Sequence, residues 1–400
     1  MHFRAKVLST SVRNSIYALC IASVLTACGG GGGSNSKPTI SSNSISSALS
    51  SAPASSSSVV SSSVAISVSS AATSSSSVES SASSAISSSS SSDVSTIVPI
   101  TVEGKNVKFG GEITSIAGPS LFWSNNGWGG EKYYNANVVF WVKQDWNAKL
   151  IRASMGVEDN GGYIQYPAAN KAKVISVVDA AIANNMYVII DWHSHNAHNY
   201  KTEAIAFFQE MATKYGANDN VIYEIYNEPL NQYTGKATSA LVWSDIIKPY
   251  AVDVIAAIRA IDPDNLIIVG TPTWSQDVDV AANSPITGYD NIAYTLHFYA
   301  ATHKLYLRNK ATTAMNKGIA LFVTEWGSVE ASGDGDVDTV ETAAWLDFLK
   351  TNNISHANWA LNDKAEGASA LTLGSSANGN WTDANLTTSG ALVKQAIKNW

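Results

Sequence analysis

Eight short apolar segments, rich in β-branched and aromatic residues, recur between positions 114 and 360 with helical sequence between them. The segments cover residues 114–118, 150–153, 187–191, 221–226, 266–270, 292–296, 320–324 and 356–360. The stretches between them include amphipathic helices predicted over 172–184, 202–215 and 243–261. Strands that alternate with helices build parallel sheets, and eight such units in about 300 residues fit one closed barrel. We therefore predict an α/β fold with a single (β/α)8 TIM barrel over residues 97–400.

Residues 1–28 are typical of a lipoprotein-type signal peptide. Basic residues precede a short apolar run at 16–22, which is too short to span a membrane permanently. The segment ends in Leu25-Thr26-Ala27-Cys28, which resembles the lipobox in which a cysteine is lipidated. We expect export and a place at the outer membrane or cell surface, with membrane contact only through lipid on Cys28. Ordinary cleavage and release as a secreted protein is the alternative.

Residues 29–96 are dominated by glycine and serine and show neither helical nor strand periodicity, which predicts a disordered, flexible linker. Both cysteines, Cys20 and Cys28, precede it, so residues 97–400 have none for a disulfide. The last 304 residues carry 21 basic and 30 acidic side chains, and that negative balance disfavours nucleic acid as a partner. We expect a monomer.

Two glutamates directly follow predicted strands. Glu228 lies in Asn227-Glu228-Pro229, and Glu325 lies in Thr324-Glu325-Trp326-Gly327. The carboxyl ends of barrel strands meet on one rim, so both side chains are predicted to face the same cleft. Two carboxyl groups across a cleft are what glycoside hydrolysis requires.

Polar and aromatic residues also follow most of the other predicted strands. Trp faces stack on the apolar faces of sugars, while amides, carboxylates and Lys bind sugar hydroxyls. These residues include Trp123, Arg152, His193, Trp274, His297, Tyr299, Trp359, Asn362, Asp363 and Lys364. Their types and positions predict a carbohydrate-binding cleft.

The motifs at these strand ends resemble those of glycoside hydrolase family 5, the former cellulase family A. They are Arg152, Asp191-Trp192-His193, Asn227-Glu228-Pro229, Leu296-His297-Phe298-Tyr299, Thr324-Glu325-Trp326-Gly327 and Trp359. The similarity extends over residues 97–400 and is greatest to bacterial endo-β-1,4-glucanases. It implies a retaining cellulase that hydrolyses internal bonds of cellulose and related β-glucans, without a cofactor. A β-mannanase or another β-glycanase of the family is the alternative.

The resemblance also implies residue roles. Glu228 is expected to be the acid/base and Glu325 the nucleophile, supported by Arg152, His193, Asn227, His297 and Tyr299. Substrate binding is expected at Trp123, Trp274, Trp359, Lys364 and Glu366. Because Glu228 has to start the cycle protonated, we expect the nearby ionised Glu325 to raise its pKa. Gly156 departs from the family pattern, since some cellulases carry Tyr there.

Two other functional classes remain open on the sequence. His193, His195 and His198 are spaced closely enough to suggest a metal-dependent hydrolase, although we expect no metal. A non-catalytic surface protein that binds carbohydrate is the more distant alternative, and the intact pair of glutamates argues against it.

Overall fold

A computed structural model describes residues 97–400 of the chain. The predicted signal peptide (1–28), its lipidation site Cys28 and the predicted linker (29–96) lie outside the described residues. Within residues 97–400, every helix is too short or too polar to cross a membrane.

The described chain opens with a small antiparallel sheet of three strands that the sequence did not predict. These strands are β1 (Ile100–Glu103), β2 (Asn106–Phe109) and β3 (Glu112–Ile113). Eight parallel strands then close into a barrel in which β4 pairs with β11, as predicted. They are β4 (Ala117–Leu121), β5 (Leu150–Gly156), β6 (Tyr187–His193), β7 (Val221–Glu224), β8 (Ile267–Val269), β9 (Ile292–Tyr299), β10 (Leu321–Gly327) and β11 (His356–Leu361).

Helices cover the outside of the barrel. The long ones are α1 (Ala136–Trp146), α2 (Pro167–Ala183), α3 (Lys201–Tyr215), α5 (Lys248–Arg259), α8 (Leu305–Asn316), α9 (Thr339–Thr351) and α10 (Thr388–Lys398). Single turns form α4 (Ser239–Val242), α6 (Pro272–Ser275) and α7 (Val278–Ala281). Short 3₁₀ segments occur at Glu131–Tyr133, Ala197–Tyr200, Asn231–Tyr233 and Asp383–Asn385.

The first barrel strand, β4, and the helix that contains α5 differ from prediction. β4 begins three residues later than expected and contains Pro119, which cannot donate to a neighbouring strand; β4 and β5 share the single residue pair Ser120–Arg152. The helix predicted from residue 243 is π-helical over Trp243–Ile247 before α5 begins. Pro249, at the start of α5, has no N–H to donate back into the preceding turn.

The small sheet covers the end of the barrel where its strands begin. Val107 and Phe109 of β2 join a buried cluster with side chains from the barrel strands. The Phe109 ring meets Tyr187 of β6 edge-on, with ring centroids 5.3 Å apart. The Tyr187 hydroxyl donates to the Val98 carbonyl at 2.8 Å. This end is closed by apolar packing, which leaves the opposite rim for the polar strand ends.

Candidate active site

Glu325 is held from two sides at the end of β10. Arg152 Nη1 donates to its Oε2 at 3.1 Å, and the Tyr299 hydroxyl donates to its Oε1 at 2.8 Å. Arg152 lies on β5. Tyr299 is the last residue of β9 and pairs with Gly327 of β10. Two donors, one of them positively charged, therefore contact the carboxyl group of Glu325 and fix the direction of its oxygens.

Glu228 lies in the loop after β7 and contacts two imidazoles. His297 Nδ1 is 2.9 Å from its Oε1, and His195 Nε2 is 3.3 Å from its Oε2. Burial raises the pKa of Glu228, but the hydrogen bonds and positive charges of the two histidines outweigh burial and hold that pKa below its ordinary value. The expectation that Glu325 raises this pKa is therefore wrong: the neighbouring imidazoles dominate.

The contact between Glu228 and His195 shifts the pKa of His195 in the opposite direction. Burial lowers its pKa, and Glu228 more than offsets burial by hydrogen bond and charge, so the pKa of His195 is raised. The backbone N–H of His195 donates to Glu158 Oε1 at 2.9 Å, which anchors the loop that carries the imidazole. In the free protein, the proton that Glu228 would deliver is thus shared with the imidazoles beside it.

The two glutamates lie close together. An oxygen of Glu228, an oxygen of Glu325 and a ring nitrogen of His297 all lie within 4.8 Å of one another, and all three side chains are buried. This approach is closer than the gap across which an inverting glycosidase places its attacking water. It matches the spacing of about 5–5.5 Å in retaining glycosidases rather than about 6.5–9.5 Å in inverting ones.

Arg152 is fully buried and organises the floor of the site. Its Nε and Nη2 donate to Glu224 at 2.7 and 3.1 Å, and Nη2 also lies 2.9 Å from Asp191 Oδ2. Burial lowers the pKa of Arg152, but Asp191, Glu224 and Glu325 together raise it above its ordinary value. Burial raises the pKa of Asp191 to about 7, against the opposing charge of Arg152. One cation therefore neutralises part of a strongly acidic cluster.

The three histidines of the possible metal cluster point to different partners. His193 Nδ1 lies 2.6 Å from Asp191 Oδ2, His195 lies on Glu228, and His198 Nδ1 is 2.9 Å from the Tyr226 hydroxyl. Burial lowers the pKa of His193 well below its ordinary value, so its ring is neutral. The three rings therefore do not form one ligand set, as the metal alternative required.

A family model described as cellulase, glycosyl hydrolase family 5, matches residues 102–365. The chain belongs to this family. It is therefore a glycoside hydrolase, and its substrate is a polysaccharide.

Individual relatives support the assignment. The chain is 59% identical over 306 residues to Endoglucanase Z of Dickeya dadantii, an alignment that covers 76% of this chain and 68% of the relative. It is 51% identical over 268 residues to an endoglucanase of Clostridium saccharobutylicum, covering 66% of this chain and 58% of the relative. Among solved structures, a variant of the Thermobifida fusca endoglucanase Cel5A catalytic domain in complex with cellotetraose has 29% identity and a TM-score of 0.68, covering 75% and 97% of the two chains.

Two of the predicted sugar platforms in this family 5 hydrolase pack around His193. The Trp359 ring stacks parallel to it at 5.0 Å, and the Trp123 ring meets it edge-on at 4.2 Å. Trp123 also explains the departure at Gly156. A Cβ there would lie 1.7 Å from Asn125 Oδ1 and 2.9 Å from the Trp123 ring, so these side chains fill the space that a larger residue would need.

The remaining predicted binding residues have partners of their own on the rim. Trp274 is 44% exposed and sits in a turn where residues 273–275 all have positive φ. Asn231 fixes this turn, because its Oδ1 accepts from the Thr273 N–H and its Nδ2 donates to the Thr273 hydroxyl. Lys364 Nζ pairs with Glu366 at 2.7 Å and lies over the Phe122 ring. Lys364 is thus paired with Glu366, and the turn that carries Trp274 is held by Asn231.

The sequence prediction did not place Asp191, Glu224 or Thr324 among the site residues, and it weighed His195 as a metal ligand rather than as a partner of Glu228. Asp191 and Glu224 are fully buried charged residues at the ends of strands that are otherwise apolar. A charged residue inside such a run is the signal that could have identified both, because buried charges require partners.

Proposed function

We propose that this family 5 hydrolase is a retaining endo-β-1,4-glucanase, with Glu325 as nucleophile and Glu228 as acid/base. The observation that carries the proposal is the approach of the two buried carboxyl groups to within 4.8 Å. Their different surroundings support the division of roles. Glu325 accepts hydrogen bonds from Arg152 and Tyr299, whereas Glu228 lies between two imidazoles that can share a proton with it.

Two displacements complete the proposed reaction. A Glu325 oxygen attacks the anomeric carbon, the bond to the leaving oxygen breaks, and that oxygen takes a proton from Glu228. Glu228 then takes a proton from water, whose oxygen attacks the same carbon and releases Glu325. Each glutamate ends in the state in which it began, and the anomeric configuration is retained.

Arg152 also prepares Asn227 to bind sugar. Its Nη2 donates to Asn227 Oδ1 at 2.7 Å, so the amide group of Asn227 is left as a donor. A donor at this position suits the sugar 2-hydroxyl, a contact that strengthens in the transition state. His193 and Trp359 would form the neighbouring surface, with Trp123 and Trp274 binding sugars on either side and Lys364 with Glu366 a more distal unit.

A parallel assay of carboxymethylcellulose, mixed-linkage β-glucan and β-mannan tests the substrate. The full chain and its Glu325→Ala variant are compared for new reducing ends and for loss of viscosity. We expect rapid loss of viscosity with both glucans and none with the variant. Cleavage of mannan alone would establish a β-mannanase, and binding without cleavage would establish a carbohydrate-binding protein.

The stereochemistry of the first product tests the mechanism separately. Proton NMR of a cello-oligosaccharide digest should show the β-anomer appearing before mutarotation produces the α-anomer. An initial α-anomer would overturn the assignment of Glu325 as nucleophile.

We propose further that the protein is exported and anchored by lipid on Cys28, with residues 29–96 as a flexible spacer. The lipobox-like Leu25-Thr26-Ala27-Cys28 supports this proposal. In a bacterial host, radiolabelled palmitate should label the full chain and not its Cys28→Ala variant. Equal labelling of both, or labelling of neither, would contradict the anchor.

A further inference from the structure

A buried chain of hydrogen bonds leads from Glu228 to Arg152 through residues of four strands or strand ends. His297 Nδ1 lies 2.9 Å from Glu228, and His297 Nε2 lies 2.8 Å from the Thr324 hydroxyl. Thr324 Oγ1 in turn lies 2.7 Å from Glu224 Oε1. Thr324 and Glu224 are both fully buried. The chain therefore has a definite end, which allows the hydrogens along it to be assigned.

The assignment starts from Glu224. Burial raises the pKa of Glu224, with the charge of Arg152 opposing that shift, and both of its oxygens accept hydrogen bonds from Arg152, so the carboxyl group acts as the acceptor at this end of the chain. The single hydroxyl hydrogen of Thr324 is therefore donated to Glu224. The Thr324 oxygen is left to accept from His297 Nε2, and that nitrogen carries a hydrogen.

We propose that Thr324, backed by Glu224, fixes His297 as the Nε2–H tautomer, so that His297 and Glu228 hold one proton jointly. Thr324 is a positioning residue in this scheme, because it acts on the acid/base through the imidazole. The proposal rests on the role proposed above for Glu228.

The fixed tautomer affects Glu228 both when it donates a proton to the leaving group and when it takes one from water. With one proton between them, Glu228 and His297 form a hydrogen bond whichever of them carries it. Once that proton is lost, the bare Nδ1 of His297 faces an ionised carboxylate at 2.9 Å, and neither group can donate. The joint proton is therefore retained to higher pH, and Glu228 becomes a stronger base for water after it has protonated the leaving group.

Other charged and titratable groups surround this pair and remain in place when Thr324 is altered. His195 contacts the second oxygen of Glu228, and Glu224 lies 3.8 Å from His297 Nε2. The rest are Glu325, which Tyr299 contacts, the ion pair of Arg152 and Asp191, Glu158 and His193 near His195, and His303, whose pKa responds to the charge of Glu228. Of these groups, only His297 and Glu224 bond to the Thr324 hydroxyl, so a difference between Thr324→Val and Thr324→Ser isolates that hydroxyl.

Thr324→Val removes the hydroxyl at nearly constant volume, and Thr324→Ser keeps it. In the valine variant, neutral His297 is free to carry its hydrogen on Nδ1 and donate to ionised Glu228, which stabilises the deprotonated state. We expect the basic midpoint of the kcat/KM profile on a 4-nitrophenyl cello-oligosaccharide to fall by about one pH unit, as expected for one hydrogen bond to a charged group. Thr324→Ser should restore the original midpoint. An unchanged midpoint in the valine variant would overturn the proposal.

The tautomer itself is measured without activity. Long-range ¹H–¹⁵N spectra of the ¹⁵N-histidine-labelled full chain, with His297 assigned from a His297→Gln variant, should show hydrogen on Nε2 and a bare Nδ1 at pH above the basic midpoint. Hydrogen on Nδ1 would overturn the proposal even if Thr324→Val failed to fold. Because this spectrum needs no substrate, it separates failure of the tautomer proposal from failure of the proposed glucanase activity.

Discussion

The two ends of the barrel both bury strand residues but use opposite chemistry. At the end where the strands begin, Phe109 and Tyr187 belong to a buried apolar cluster. At the other end, the same strands bury Arg152 with three carboxylates. Apolar burial is favourable without further conditions, whereas a buried charge is tolerated only with partners in good geometry. The first end therefore supports the fold, and the second uses that support to hold the catalytic groups.

The pKa values of two histidines, one at each end of the barrel, show the same contrast. His356 begins β11 at the apolar end, where its Nδ1 accepts from the Trp326 indole at 3.0 Å and burial lowers its pKa to about 3. His195 at the catalytic end is also buried enough for burial to lower its pKa, yet the contact with Glu228 reverses the shift. The same side chain is thus kept neutral at one end and stabilised as a cation at the other.

The largest expected effect is on catalysis at the polar end. Glu228→Gln keeps the shape of the side chain but cannot supply a proton, so kcat on carboxymethylcellulose should fall by about 10³-fold or more. The midpoint of thermal unfolding should stay within a few degrees of the original. A variant with more than a tenth of the original activity would remove Glu228 from its assigned role.

Removing the central cation should damage both stability and activity. Arg152→Met leaves Asp191, Glu224 and Glu325 buried without their partner, which is expected to cost about 3–5 kcal/mol in free energy of unfolding. Urea unfolding measures the loss, and Arg152→Lys serves as the control that keeps the charge but not the fork of donors. Unfolding of Arg152→Met at the original urea concentration would show that the carboxylates do not need the cation.

The apolar end should show stability loss without catalytic loss. Phe109→Ala removes a buried ring packed on Tyr187, with an expected cost of about 3 kcal/mol. The kcat of the folded fraction at low temperature should match the original enzyme, and Ile113→Ala, at an exposed site of the same sheet, should change neither quantity. A fall in kcat for Phe109→Ala would show that the two ends are coupled.

The smallest effect concerns pH. Burial lowers the pKa of His356 to about 3 in the folded protein, whereas a histidine in the unfolded chain has a pKa of about 6.5. Between about pH 3 and about pH 6.5, the unfolded state therefore binds one more proton at this residue than the folded state does. Stability should therefore decrease as pH falls below about 6.5, and His356 should contribute about 1.4 kcal/mol per pH unit between pH 6 and 4. His356→Gln should reduce the slope of unfolding free energy against pH by that amount. An identical slope would contradict the neutral, buried state of His356.

Sequence patterns located most of the fold, and they failed where tertiary contacts override local preference. The segment 187–191 predicted β6 because it is a continuous apolar run, but the strand extends to His193 since residues 191–193 pair with β5. β4 was predicted three residues early, as the segment 114–118, which stopped before Pro119, a poor strand former. Gly118 is required there: a Cβ would lie 1.7 Å from the Leu150 carbonyl oxygen of β5.

The sequence by itself determined the alternation of strands and helices, the positions of Glu228 and Glu325 at strand ends, and most of the residues around them. Those features depend on local periodicity and on the rule that parallel strands end on one rim. Only the tertiary structure decided which groups control their protons. Arg152 and Glu325 are 173 residues apart in the chain, and Thr324 and Glu224 are 100 apart. Barrel closure brings such residues to hydrogen-bonding distance, and the shift of a pKa depends on those distances and on burial rather than on neighbours in sequence.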